Sequence, residues 1–134
     1  RLGSTGAGPD GQRQRKLHQI IRKMQWTITS VERCRVPVIA AVHGYCLGYG
    51  LVIAAECDLV VATEDTRFGL TETQRGFPGG PAWAKVQNFM PSKVASEMLL
   101  TGEAMHAKDL YRLGFINRLV PERLHLEGAQ DLNH

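Results

Sequence analysis

No stretch of the 134-residue sequence restricts the fold more than residues 37–62. Pro37 imposes an extended entry, and Val38-Ile39-Ala40-Ala41-Val42 is a continuous apolar run of the kind found in strands buried on both faces. His43-Gly44-Tyr45-Cys46-Leu47-Gly48-Tyr49-Gly50 then reads as a glycine-rich turn, and Leu51 to Cys57 as a short apolar helix. Asp58 to Ala62 is a second buried strand, with Asp58 stabilising its start. A buried strand, a tight turn and a helix N-terminus bring unpaired backbone N–H groups to one point. An anion or oxyanion can sit there.

The flanking sequence fits one α/β domain. Residues 1–11, rich in glycine and containing Pro9, read as a loop. From Gln12 to about Cys34, the positions Leu17, Ile20, Ile21, Met24, Ile28 and Val31 recur at helical spacing, with Arg13, Arg15, Arg22 and Lys23 largely on the other sides. Beyond the second strand, a turn at Glu64-Asp65 leads to Phe68-Gly69-Leu70-Thr71-Glu72 and the loop Arg75-Gly76-Phe77-Pro78-Gly79-Gly80. Short helices are expected at Pro81 to Asn88, Ser92 to Leu100 and Ala107 to Leu113, the last capped by Gly114. Phe115 to Val120 reads as a strand closed by Pro121, and residues 122–134 as a tail without a defined element. Strands alternating with helices imply a parallel sheet.

Composition removes several function classes. A formal net charge of +3 is too mild to demand nucleic acid, and the basic residues lack interleaved aromatics. No apolar run approaches the length that spans a bilayer, and no signal-peptide core opens the chain, so a soluble intracellular protein without a membrane partner is expected. Cys34, Cys46 and Cys57 form no CxxC pair; no zinc site or disulfide framework follows, and all three read as buried thiols. The glycine turn fits neither G-x-G-x-x-G nor a P-loop.

The motifs P-V-I-A-A-V-H-G-Y-C-L-G-Y-G, C-D-L-V-V-A, F-G-L-T-E, L-L-T-G-E and L-G-F-I-N-R-L-V-P, in this order, resemble the enoyl-CoA hydratase/isomerase (crotonase) superfamily over residues 12–121. The resemblance implies a crotonase-like core of repeated ββα units with parallel strands, with N- and C-terminal parts of the family fold missing from residues 1–134. It implies acyl-CoA substrates, a homotrimer or hexamer, and a bacterial cytoplasm or an organelle matrix as the setting. Coenzyme A belongs to the substrate, and no separate cofactor or metal is implied.

Carried over residue by residue, the second oxyanion donor falls on the Tyr49 backbone N–H between Gly48 and Gly50, where the family usually has glycine. Glu72 takes the place of the proton-moving carboxylate, and Gly79 and Gly80 join Gly48 and Gly50 as substrate-binding positions. A second glutamate, which hydratases place at the start of the helix, is here Val52, and Glu56 lies one turn further on. The segment that supplies the first oxyanion donor is either missing or aligns with Ala7-Gly8-Pro9-Asp10, where Pro9 has no N–H. With one carboxylate, double-bond isomerisation is expected over hydration. A non-catalytic or truncated acyl-CoA-binding relative is the alternative. Cys46 and His43 read as structural.

Overall fold

The computed structural model describes residues 8–70, 86–122 and 124–132. Its framework comes from two consecutive strand–strand steps. Strand β1 (Ile39–Val42) turns at Gly44, whose φ of 71° favours glycine, into β2 (Tyr45–Leu47) and then helix α2 (Tyr49–Glu56). Strand β3 (Leu59–Thr63) turns through residues 64–66, without a glycine, into β4 (Arg67–Gly69).

The first strand of each step joins one sheet and the second joins another. β1 pairs parallel with β3, Ile39 opposite Leu59, and β2 pairs parallel with β4, Tyr45 opposite Arg67. Later elements extend both sheets. β6 (Arg118–Val120) adds parallel to β3, and β5 (Met105–His106) antiparallel to β4, giving the orders β1-β3-β6 and β2-β4-β5. The expected neighbouring parallel strands with a connecting helix are therefore present, as two ββ steps.

Polar side chains finish what the backbone ladders start. Val38 N–H donates to Asp58 Oδ2 at 2.8 Å, and Asp58 N–H donates to Val38 O at 2.9 Å, so Asp58 secures the start of β3 as the sequence implies. At the β3–β4 turn, Thr63 and Thr66 are fully buried and share a 2.7 Å hydroxyl bond, and the Thr63 hydroxyl also donates to Asp65 Oδ1 at 2.6 Å. Buried hydroxyls without partners are costly, and these have them. Leu51, Val52, Phe68, Leu70, Met98 and Leu110 form the centre of the core, where Phe68 meets Phe115 edge to face with ring centroids 6.0 Å apart. Met98 comes from α3 (Ser92–Thr101), ended by left-handed Gly102, and Leu110 from α4 (Ala107–Arg112).

Several sequence expectations change. Helix α1 (Pro9–Glu32) starts inside the segment read as a loop, because Pro9 occupies the first helical position, where its missing N–H costs nothing. Its apolar stripe is not a core face throughout: Ile28 is buried against the body that α2 anchors, but Leu17 and Ile20 are 57% and 53% exposed. β1 is half-buried rather than covered on both faces, since it lies at a sheet edge among the described residues. The expected turn at 43–50 contains β2, and α2 starts at Tyr49 rather than Leu51. The last strand shortens to β6, while Phe115 and Ile116 are buried ahead of it. The helix expected at Pro81 to Asn88 falls mostly outside the described residues.

The supposed tail carries helix α5 (His125–Leu132), which packs across β1, β3 and β6. Gly128 makes this approach possible: a Cβ there would stand 2.8 Å from Val120 Cγ1 and 3.1 Å from Val61 Cγ1. We expect Gly128→Leu to lower stability by about 1–3 kcal/mol through overpacking. Gly50→Ala, whose Cβ would meet only Cys46 Sγ at 3.9 Å, should not lower it. Denaturant unfolding of both variants checks this; equal stability of Gly128→Leu and wild type would contradict the packing of α5.

Candidate functional site

The glycine-rich segment makes a corner between β2 and α2. Gly48 holds it, with φ 57° and ψ −123°, a region closed to side chains with a Cβ. Gly48 N–H donates to Gly69 O at 2.9 Å, and Gly48 O accepts from Val52 N–H at 3.2 Å. Both backbone groups of Gly48 are thus used, one tying it to β4 and the other opening the helix.

Tyr49 follows as the first helical residue, and its N–H finds no acceptor among the described residues. This is the usual state of a first-turn amide. The left-handed conformation falls on Gly48, one residue earlier, so a tyrosine fits where the resemblance leads one to expect glycine. Its half-buried ring rests against the core. Gly50 is exposed, and its missing Cβ leaves the helix start open.

Gly69 shapes the corner from the side of β4, a part that the sequence alone does not assign to it. A Cβ on it would stand 3.2 Å from Leu47 Cδ2 and 3.3 Å from Ala104 Cα, so glycine lets β4 close on β2 and brings its carbonyl to Gly48. The signal was visible as the glycine in F-G-L-T-E, but a strand glycine declares its purpose only once its neighbours are known. Leu70, next in sequence, is fully buried. Glu72, Gly79 and Gly80 lie outside the described residues.

Val52 is completely buried in the core. Glu56 sits on the last turn of α2, about 10 Å along the helix from Tyr49 at 1.5 Å per residue. The structure therefore does not bring Glu56 to the Tyr49 amide. Among the described residues, no cluster of three His, Cys, Asp or Glu side chains is arranged for a metal ion. A cleft of about 140 Å³ lies at the far end of α2, between Ala54, Cys57, Asp58, Phe89 and Asn117. Asn117 is occupied in holding β3: its Oδ1 accepts from Val60 N–H at 2.8 Å, and its N–H donates to Val60 O at 2.9 Å.

The three cysteines differ more than their sequence settings imply. Cys46 is buried, and burial, reinforced by Cys57, pushes its thiol up to about 12. It is a core residue, not a nucleophile. Cys57 is half-buried; burial first, then Asp58 and Glu56, raises its pKa, and its Sγ lies 3.2 Å from Ile53 O. Cys34 is exposed, which corrects the expectation that all three are buried. His43 is exposed as well, whereas His106 Nε2 accepts from Arg67 Nη1 at 2.6 Å, a side-chain link between β4 and β5.

In native protein at neutral pH, an alkylating thiol reagent should modify Cys34 first and leave Cys46 unmodified, as read by peptide mass spectrometry. Because the folded-state pKa of Cys46 is raised from 9.0 to about 12, its contribution to stability is intact below pH 9 and is lost as pH rises through about 12. Rapid native-state labelling of Cys46 would contradict its burial.

Residues 7–132 match the family model described as enoyl-CoA hydratase/isomerase. An enoyl-CoA hydratase from Mycobacterium smegmatis superposes with a TM-score of 0.82 at 30% identity, over 88% of this chain and 46% of that one. A carnitinyl-CoA hydratase from Mycobacterium avium is 44% identical, with a TM-score of 0.68 over 72% of this chain and 38% of its own. Human enoyl Coenzyme A hydratase domain-containing protein 3 gives 0.82 at 25% identity, over 97% and 49%. The chain spans about half the length of these structures or less. The ordered motifs, the paired ββ steps and a family match across nearly the whole sequence lead to one conclusion: this chain belongs to the enoyl-CoA hydratase/isomerase family.

Proposed function

We propose that the protein acts on an acyl-CoA thioester by stabilising its enolate, with Tyr49 N–H as an oxyanion donor and Glu72 as the acid/base. The observation that carries this reading is the Gly48–Tyr49 corner, which presents at the start of α2 an amide without an acceptor among the described residues. A donor fixed there gains strength as negative charge develops on the thioester oxygen, since it needs no reorganisation. The role of Glu72 rests on its place in the motif F-G-L-T-E.

A single carboxylate that takes a proton from one carbon and returns it to another performs a double-bond isomerisation. Hydration needs a held and activated water, which the family arranges with two carboxylates. Val52 is buried and apolar, so the reading favours isomerisation. Coenzyme A enters as part of the substrate, and the chemistry needs no further cofactor. A second reading is acyl-CoA binding without turnover, favoured by the buried apolar Val52 where hydratases of the family place a glutamate.

Replacing Glu72 by glutamine keeps size and hydrogen bonding but removes the proton carrier. Turnover of an enoyl-CoA should fall by a factor on the order of 10² or more while affinity changes little. Hydration and isomerisation assayed on one substrate, alongside calorimetric binding, separate the outcomes. Unchanged turnover in Glu72→Gln removes Glu72 from the mechanism, and binding without turnover in the wild type establishes the second reading.

The proposal also takes the protein as a homo-oligomer. Val36, Tyr45 and Leu100 are 64%, 77% and 75% exposed, and β1 and β2 both lie at sheet edges among the described residues. Open edges and apolar surface favour association. Sedimentation should show the chain as a trimer or larger; a stable monodisperse monomer would contradict this.

A further inference from the structure

We propose that the outward face of α1 docks on the surface of an anionic lipid bilayer. Its orientation comes first. Ile28 turns the helix inward, and Trp26, two residues earlier, lies about 200° round the axis. Arg15, Lys16, Arg22 and Lys23 fall within about 60° of the point opposite Ile28. All four cations are exposed, and Trp26 is 68% exposed. A flat surface can therefore meet them without meeting the body of the protein.

The charge pattern comes second. The acids of α1 are Asp10 and Glu32, at its two ends, and no acidic residue lies between. A helix face that serves only hydration usually mixes signs and forms pairs along its length. Among the described residues, Lys16, Arg22 and Lys23 form no ion pair. Anionic headgroups attract such a cluster, and an indole set among the cations suits the headgroup level.

A single aromatic on this face distinguishes it from a nucleic-acid platform, which stacks successive bases on several rings. Adsorption is also distinct from insertion: among the described residues, no helix is long and apolar enough to cross a membrane. The expectation of no membrane partner rested on that same lack of a spanning segment, which leaves surface docking untouched.

The test is flotation with vesicles of phosphatidylcholine alone and vesicles containing about one-third phosphatidylserine. The chain should partition at least tenfold more strongly to the anionic vesicles and lose that preference as salt rises. Trp26 emission should move to the blue on binding, and the shift should vanish in Trp26→Ala. Lys16→Glu combined with Lys23→Glu changes exposed positions only, so helicity by circular dichroism should be kept while anionic binding falls tenfold or more. Equal binding to both vesicles, binding unchanged in the double variant, or tighter binding to a single-stranded oligoribonucleotide at the same salt would each overturn the proposal.

Discussion

The hydrogen bond from Gly48 N–H to Gly69 O joins the two ββ steps at the place where the chain changes from strand to helix. It exists because Gly48 can take a positive φ and because Gly69 has no Cβ to hold β4 away from Leu47. With Gly48 engaged, the following amide, Tyr49, is left at the helix start without an acceptor among the described residues. The corner is also well supported from beneath: Leu51, Val52 and Leu70 are buried on either side of it. A donor held by buried neighbours keeps its direction, which is what stabilisation of a developing charge requires.

The same arrangement constrains the chemistry. A glutamate at position 52 would have to enter a fully buried site, where an ionised carboxylate without a partner is strongly disfavoured. Valine there is consistent with the core that surrounds it. Glu56, on the last turn of the same helix, cannot stand in for it without α2 changing its length or position.

Much of this was legible in the sequence where burial writes itself as composition. The apolar runs gave β1 and β3, and the pattern after them gave α2, α3 and α4 to within a few residues. β2 was missed because three residues bearing one exposed, one buried and one half-buried side chain carry too little periodicity to separate from a glycine turn. α5 was missed for a different reason: Gly128 lowers helix propensity but is retained to let the helix approach Val61 and Val120. In α1 the apolar spacing predicts a helix, yet spacing does not say how far along the helix a neighbour extends. Among the described side chains of that stripe, Ile28 is buried, Val31 half-buried, and Leu17 and Ile20 exposed. At the candidate site, the glycines were visible in sequence, while the division of labour between Gly48 and Tyr49 needed the backbone angles.

In the proposed chemistry the Tyr49 amide is a preset donor for a thioester oxygen. Its most direct measurement is the amide proton resonance of ¹⁵N-labelled protein titrated with a non-reacting acyl-CoA. A downfield shift at Tyr49 that saturates with binding is expected, with Gly48, already bonded to Gly69, moving much less. Saturable binding that leaves the Tyr49 resonance in place would contradict it.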